Sequence, residues 1–275
     1  MTLGNPVQET RNSAERDLGG VTHIRAVIVD WAGTIIDFGS CAPAGAFVEL
    51  FRRHGVAIGL DEARGPMGMA KRDHIAALLA GRDWAGPDLD ALYREFVPLQ
   101  LACLPDFAAL IPGAAAALAA WRARGLAVGS TTGYNRDMLA VLSAAAKRQG
   151  LALDCAVCAS DVRAGRPAPW MALEAAACLG VYPMRAIVKI GDTRADIDEG
   201  LNAGMWTIAV SGTGNELGLD AAAAERLPPA ELAQRLDAIA ARLRAAGAHY
   251  VARSVADCLP ILDEINARLA RGERP

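Results

Sequence analysis

The stretch Ile24-Arg25-Ala26-Val27-Ile28-Val29-Asp30-Trp31-Ala32-Gly33-Thr34 decides the fold. It is an apolar run rich in β-branched side chains that stops at an acid and then Gly-Thr. That is the pattern of a strand buried on both faces, with chemistry at its carboxyl end. Similar runs recur at 126–132 (LAVGSTT), 154–160 (DCAVCAS), 186–192 (AIVKIGD) and 206–210 (WTIAV). Helical stretches separate them, at 114–124, 136–149, 170–179 and 195–203. This alternation predicts an α/β fold, an open Rossmann-like parallel sheet whose ligands sit beyond the carboxyl ends of the strands.

Between the first two strands lie about a hundred residues, too many for one crossover loop. Helical periodicity in AGAFVELFRRHGV and LDALYREFVPLQLACL predicts a small helical cap domain inserted over 39–110. The core is then 23–38 with 111–275, preceded by an N-terminal extension over 1–22. The tail from 229 to 271 reads as helix, a short strand at 249–252, and helix, with Ser254 and Asp257 as a capping box opening the last one. The Ala-rich runs at 114–117 and 221–224 read as helix filler.

A net charge of -3 offers no basic field for a nucleic-acid backbone, so no nucleic-acid partner is expected. No apolar run reaches the roughly 18 residues of a membrane span, so no membrane partner is expected either. The polar first twenty residues lack the apolar segment of a secretory signal, which points to a cytoplasmic protein. Six cysteines scattered through apolar segments fit reduced, buried thiols. Cys155 and Cys158 form a CxxC, but on a strand they face opposite ways, against a zinc site. Of 28 basic residues only Lys71, Lys147 and Lys189 are lysine, so each lysine raises the question of why it is not arginine.

Four polar clusters fall at or just past strand ends: Asp30-Trp31-Ala32-Gly33-Thr34, Ser130-Thr131-Thr132-Gly133, Gly165-Arg166-Pro167, and Gly191-Asp192-Thr193-Arg194-Ala195-Asp196. Together they suit phosphoryl chemistry. Asp30 is a carboxylate nucleophile. Asp192 and Asp196, four apart across a strand-to-helix turn, can join Asp30 in a hard-oxygen site for Mg²⁺. Thr132 with backbone N–H groups can bind phosphoryl oxygens, and Arg166 can offset developing charge.

These four clusters resemble the motifs of the haloacid dehalogenase superfamily, over essentially the whole chain after residue 22. In that superfamily the nucleophile motif usually reads Asp-x-Asp, and its second Asp protonates a leaving alkoxide. Here that position is Ala32. The string Pro66-Met67-Gly68-Met69-Ala70-Lys71-Arg72-Asp73-His74 in the insertion, taken with DWAGT, STTGY, GRPxPW and GDTxxD, resembles the phosphonoacetaldehyde hydrolase family. The resemblance implies a Schiff base between Lys71 and a small phosphonate aldehyde, and Mg²⁺ held by Asp30, the Ala32 carbonyl and Asp192. It also implies a homodimer, and acetaldehyde and phosphate as products.

Chemistry and resemblance agree. A P–C bond leaves its electron pair on carbon, where there is no oxygen to protonate, and a protonated imine accepts that pair. Lys71 would thus do the task of the missing acid, and it needs a lowered pKa to be a free amine. His74, three positions on, shares a helix face with Lys71 and reads as a proton-transfer partner. Met67, Gly133 and Tyr134 read as substrate-pocket residues, Trp31 as packing, and Lys189 as a strand-end lysine. Three competing readings remain: a phosphatase or mutase acting on a small phosphate ester, a catalytically dead binding domain, and a Schiff-base aldolase indifferent to phosphorus. Ala32 speaks against the first, and the intact set Asp30, Thr132, Arg166, Asp192 and Asp196 against the second. The third requires activity to survive loss of Asp30.

Overall fold

The computed structural model describes residues 22–275; the extension expected over 1–22 lies, up to residue 21, outside them. Six parallel strands form one sheet: β1 (Ala26–Val29), β2 (Ala127–Thr132), β3 (Cys155–Cys158), β4 (Ile187–Gly191), β5 (Trp206–Val210) and β6 (Tyr250–Ala252). Their order is β3-β2-β1-β4-β5-β6. The order reverses between β1 and β4, and such a switch point opens a crevice for ligand at the carboxyl ends. Asp30 and Asp192 directly follow these two strands.

Alternation within β1 shows why the strand is apolar throughout. Val27 and Val29 join one cluster, with Trp121 and Met138, while Ala26 and Ile28 join another, with Met171 and Ala172. Both faces are covered, so no position tolerates a polar side chain until the strand ends.

Helices flank the sheet at α5 (Ala114–Ala123), α6 (Arg136–Arg148), α7 (Trp170–Cys178), α8 (Arg194–Asn202), α9 (Ala221–Glu225), α10 (Pro229–Ala245) and α11 (Cys258–Ala270). The segment between β1 and β2 holds α1 (Cys41–Arg53), α2 (Leu60–Arg64), α3 (Lys71–Leu79) and α4 (Leu89–Cys103). α4 contains Pro98 and is capped by Asp88, whose side chain accepts from the Ala91 amide. Phe47, Phe51 and Phe96 bury this segment's own apolar face, Phe47 and Phe96 stacking at 4.4 Å. The capping box of Ser254 and Asp257 is present, enclosing a short 3₁₀ turn that leads into α11. Among the described residues no helix is long and apolar enough to cross a membrane.

The cysteines depart from expectation at one point. Cys155 and Cys158 do face opposite sides of β3, into different clusters. Cys155, however, is disulfide-bonded to Cys178, where all six thiols were expected to be reduced. α7 packs on the Cys155 face of β3 and brings the two Cα atoms to 6.3 Å, within bridging reach.

Candidate active site

The end of β1 is fixed before Asp30 projects from it: the Asp30 amide donates to the Ile190 carbonyl of β4 at 2.8 Å. The chain then turns tightly, the Thr34, Ile35 and Ile36 amides all donating to the Trp31 carbonyl. Gly33 has φ 80°, and a Cβ there would collide with Asp192 Oδ2. Glycine is therefore required by both conformation and space. Trp31 packs, donating its indole N–H to Ser130 Oγ at 2.9 Å.

Asp30, Asp192 and Asp196 are buried, each offering an oxygen within 4.8 Å of the others. Burial, then repulsion from Asp196, raises the Asp30 pKa to about 6 against the pull of Arg166. Burial and repulsion from Asp30 push Asp192 well above the carboxylate range. Asp192 Oδ2 accepts from the Asn215 amide at 2.7 Å and Oδ1 from Thr34 Oγ1 at 3.4 Å. Asp196 differs from both. Burial works against its charge, but Arg166, Lys189 and Thr193 hold its pKa below the usual range. Its oxygens are already engaged: Oδ1 with Lys189 Nζ at 2.8 Å and Arg166 Nη1 at 3.0 Å, Oδ2 with Thr193 Oγ1 at 2.6 Å in the capping box of α8. It belongs to the acidic cluster by distance and at the same time braces two cations.

Arg166 is buried and saturated. Nη2 lies 2.8 Å from Asp30 Oδ1 and donates to the Thr131 carbonyl at 2.9 Å; Nε donates to Glu199 Oε2 at 2.8 Å; Nη1 donates to the Gly68 carbonyl at 3.3 Å. Glu199 also accepts from Thr131 Oγ1 at 2.9 Å and faces Lys189 Nζ at 3.4 Å. Lys189 is therefore no ordinary strand-end lysine. It is 1% exposed and buried in this ionic network, because residue 189 of β4 points at the first turns of α8.

The opposite wall comes from the inserted segment. Lys71, first residue of α3, is 5% exposed and lines a pocket with Asp30, Ala32, Met67, Thr132, Gly133 and Tyr134. Among the described residues it makes no ion pair. Its ammonium sits 4.8 Å from the Tyr134 ring centre and 5.7 Å from that of Phe47. Burial lowers its pKa to about 8, partly opposed by Asp30. Tyr134 is buried, and its hydroxyl has no partner among the described residues. Gly133 admits the Met69 carbonyl where any Cβ would collide with it. The pocket is about 20 Å³, room for about one or two water molecules.

His74 is not part of this pocket. It stacks on Phe47 at 3.7 Å, and its Nε2 lies 2.9 Å from the Ala63 carbonyl, a contact that requires the N–H at Nε2. Burial, then Lys71, lowers its pKa to about 2, so the ring is neutral. Among the described residues His74 makes no hydrogen bond to Lys71: Lys71 lines the pocket, while the imidazole stacks on Phe47 of α1. Glu199, Asn215 and Arg64 also shape the site and carried no local motif. Glu199 alone left a trace, an acid one helical turn after Asp196 on the same face of α8.

Residues 24–204 match the family model described as haloacid dehalogenase-like hydrolase. A protein of Paraburkholderia xenovorans named phosphonoacetaldehyde hydrolase is 46% identical over 265 residues, covering 92% of this chain and 99% of that one. One of the same name from Nitratidesulfovibrio vulgaris is 47% identical, covering 92% and 94%. The crystal structure of a phosphonoacetaldehyde hydrolase-like protein from Oleispira antarctica superposes with a TM-score of 0.89 at 42% identity, covering 92% and 96%.

Proposed function

The chain belongs to the phosphonoacetaldehyde hydrolases among the haloacid dehalogenase-like hydrolases, enzymes acting on carbon–phosphorus bonds, and from that premise we propose that it cleaves phosphonoacetaldehyde through an imine on Lys71 and a phosphoryl-enzyme on Asp30. The observation carrying this reading is the pairing of Lys71, buried and without an ion-pair partner among the described residues, with Asp30 in one pocket whose position 32 is alanine. A general acid is missing where an ester hydrolase keeps one, and an amine of lowered pKa stands across from the nucleophile.

Lys71 Nζ, as the free amine, adds to the aldehyde carbon, and loss of water gives a protonated imine. At pKa about 8, roughly a tenth of the lysine is amine at neutral pH. Asp30 then attacks phosphorus. The P–C bond breaks, and its electron pair forms the C=C bond of an enamine as the iminium nitrogen regains its lone pair. Water hydrolyses the acyl phosphate, releasing phosphate and the Asp30 carboxylate. Protonation of the enamine at carbon and hydrolysis release acetaldehyde and Lys71. Arg166, pinned by Glu199 and Thr131, keeps an N–H edge beside Asp30 where charge develops on the transferring group. Thr132 lines the same pocket, and its hydroxyl would receive a phosphoryl oxygen.

The donors fit Mg²⁺: they are hard oxygens, and Asp30 and Asp192 are two buried, mutually repelling carboxylates that gain from a cation between them. Asp30, Asp192 and the Ala32 carbonyl would hold it, and it would neutralise the repulsion between Asp30 and an anionic phosphonate. Segment 39–110 is read as a cap that must open, because the closed pocket is too small for substrate. A homodimer and a cytoplasmic location belong to the same reading; light scattering on the purified protein checks the first.

Borohydride added with phosphonoacetaldehyde should trap a reduced adduct on Lys71, identified by peptide mass spectrometry. Wild-type turnover in Lys71→Arg would defeat the proposal, since a guanidinium does not form the imine.

A further inference from the structure

We propose that Arg64 and Asn215 are positioning residues that make closure of the inserted helices over the site and the orientation of Asp192 a single event. This rests on reading Asp192 as a Mg²⁺ ligand beneath a closing cap. Arg64 ends α2, within the insertion, and is buried. Its Nη1 donates to the Gly39 carbonyl at 2.6 Å, the Ser40 carbonyl at 3.3 Å and Asn215 Oδ1 at 3.2 Å, while Nη2 donates to the Gly218 carbonyl at 3.1 Å. Asn215 answers by donating from Nδ2 to the Arg64 carbonyl at 3.2 Å. Both ends of one amide thus serve a residue 151 positions away. The backbone N–H of Asn215 in turn donates to Asp192 Oδ2 at 2.7 Å. The path from insertion to metal carboxylate is a continuous, buried line of hydrogen bonds.

Its anchoring point is the joint where the insertion leaves the core. Asp37, Gly39 and Ser40 have φ of 52°, 83° and 50°, a left-handed region that L side chains rarely adopt. The joint is held by Asp37, whose carboxylate accepts from the Cys41 and Ala42 amides, and by Arg64 on the carbonyls of 39 and 40. Any swing of the insertion turns backbone angles here and moves the carbonyls Arg64 holds. Arg64 then leaves Asn215, and Asp192 loses its fixed donor. A planar fork of five N–H groups can serve all these acceptors at once, which a lysine cannot.

The test is calorimetric titration of Mg²⁺ into substrate-free wild type, Arg64→Lys, Asn215→Ala and the double variant. Each single change should weaken Mg²⁺ binding on the order of tenfold, with the double variant no weaker than the worse single, since the pair acts as one unit. KM for phosphonoacetaldehyde should rise by more than kcat falls. Asn215→Ser, which keeps a hydroxyl in place of the amide, should fall between wild type and Asn215→Ala, and serves if the alanine variant fails to fold. Unchanged Mg²⁺ affinity in both singles overturns the proposal, as do additive losses in the double. A wild type that binds no Mg²⁺ overturns it together with the metal part of the functional reading. Failure of borohydride trapping with the Mg²⁺ coupling intact removes only the imine.

Discussion

The two walls of the pocket treat charge in opposite ways. On the strand-end wall both cations are paired: Arg166 touches Asp30, Asp196 and Glu199, and Lys189 touches Asp196 and Glu199. On the helical wall Lys71 faces aromatic rings. On the proposed mechanism the first wall holds charges rigidly where a phosphoryl group would need stabilising, with little reorganisation during reaction. The second denies an ammonium its solvation and so favours the amine. One residue type, lysine, shows the contrast: Lys189 is buried against the carboxylates of Asp196 and Glu199, whereas Lys71 is buried against the rings of Phe47 and Tyr134. On the proposed mechanism it is burial without a carboxylate partner, rather than burial alone, that suits a lysine to act as the amine.

The comparison breaks most sharply at Asp30. If the walls do separate chemistry, Asp30→Asn should lose turnover on the order of 10⁴-fold, as loss of a covalent nucleophile does. It should still form the borohydride-trapped adduct on Lys71, because imine formation needs only the helical wall. Loss of trapping in Asp30→Asn would show that the walls are one electrostatic unit. Survival of turnover would instead favour an aldolase that ignores phosphorus.

A smaller effect sharpens the contrast through pH. On the proposed mechanism the reactive form of Lys71 is deprotonated, and burial lowers its pKa to about 8. Below that value the amine fraction falls about tenfold per pH unit, so kcat/KM should fall with the same slope. Asp30 works in the same direction at lower pH, its carboxylate being lost on protonation near 6 without a metal. A kcat/KM profile flat from pH 6 to 8 would mean that Lys71 does not act as an amine.

How much of this was legible in the sequence depends on how local each feature is. The strands lie within one or two residues of their expected positions, because an all-apolar run ending in an acid is a local signal. The positions of Asp30, Thr132, Arg166 and Asp192 around one pocket were legible for the same reason, each sitting at or just past a strand end or in a loop. Glu199, Arg64 and Asn215 were not, since their partners lie 68, 151 and 23 residues away and only the folded sheet joins them. The Cys155–Cys178 bridge was hidden likewise, by the packing of a helix on a strand. Asp196 was seen as a member of the acidic cluster, but its engagement with Lys189 depends on where β4 aims residue 189.

His74 offers the finest test of the division between walls, and the smallest expected effect. Spacing of i and i+3 puts it on the Lys71 face of α3, which is why a proton-transfer role was expected. Its place under Phe47 and its contact with the Ala63 carbonyl instead make it part of the dry backing behind Lys71. Burial keeps the ring neutral and its Nε2–H is committed to the Ala63 carbonyl; among the described residues it makes no hydrogen bond to Lys71. His74→Gln, which can keep a donor toward Ala63, should then cost about 1 kcal/mol of stability and leave kcat within a few-fold. His74→Phe loses that donor but keeps the apolar backing, so the low pKa of Lys71 and the kcat/KM profile should persist. A hundredfold fall in kcat in both variants, the size of a lost general acid or base, would return His74 to the chemistry. An alkaline shift of the profile in His74→Gln but not in His74→Phe would show that the dryness of this backing sets the Lys71 pKa.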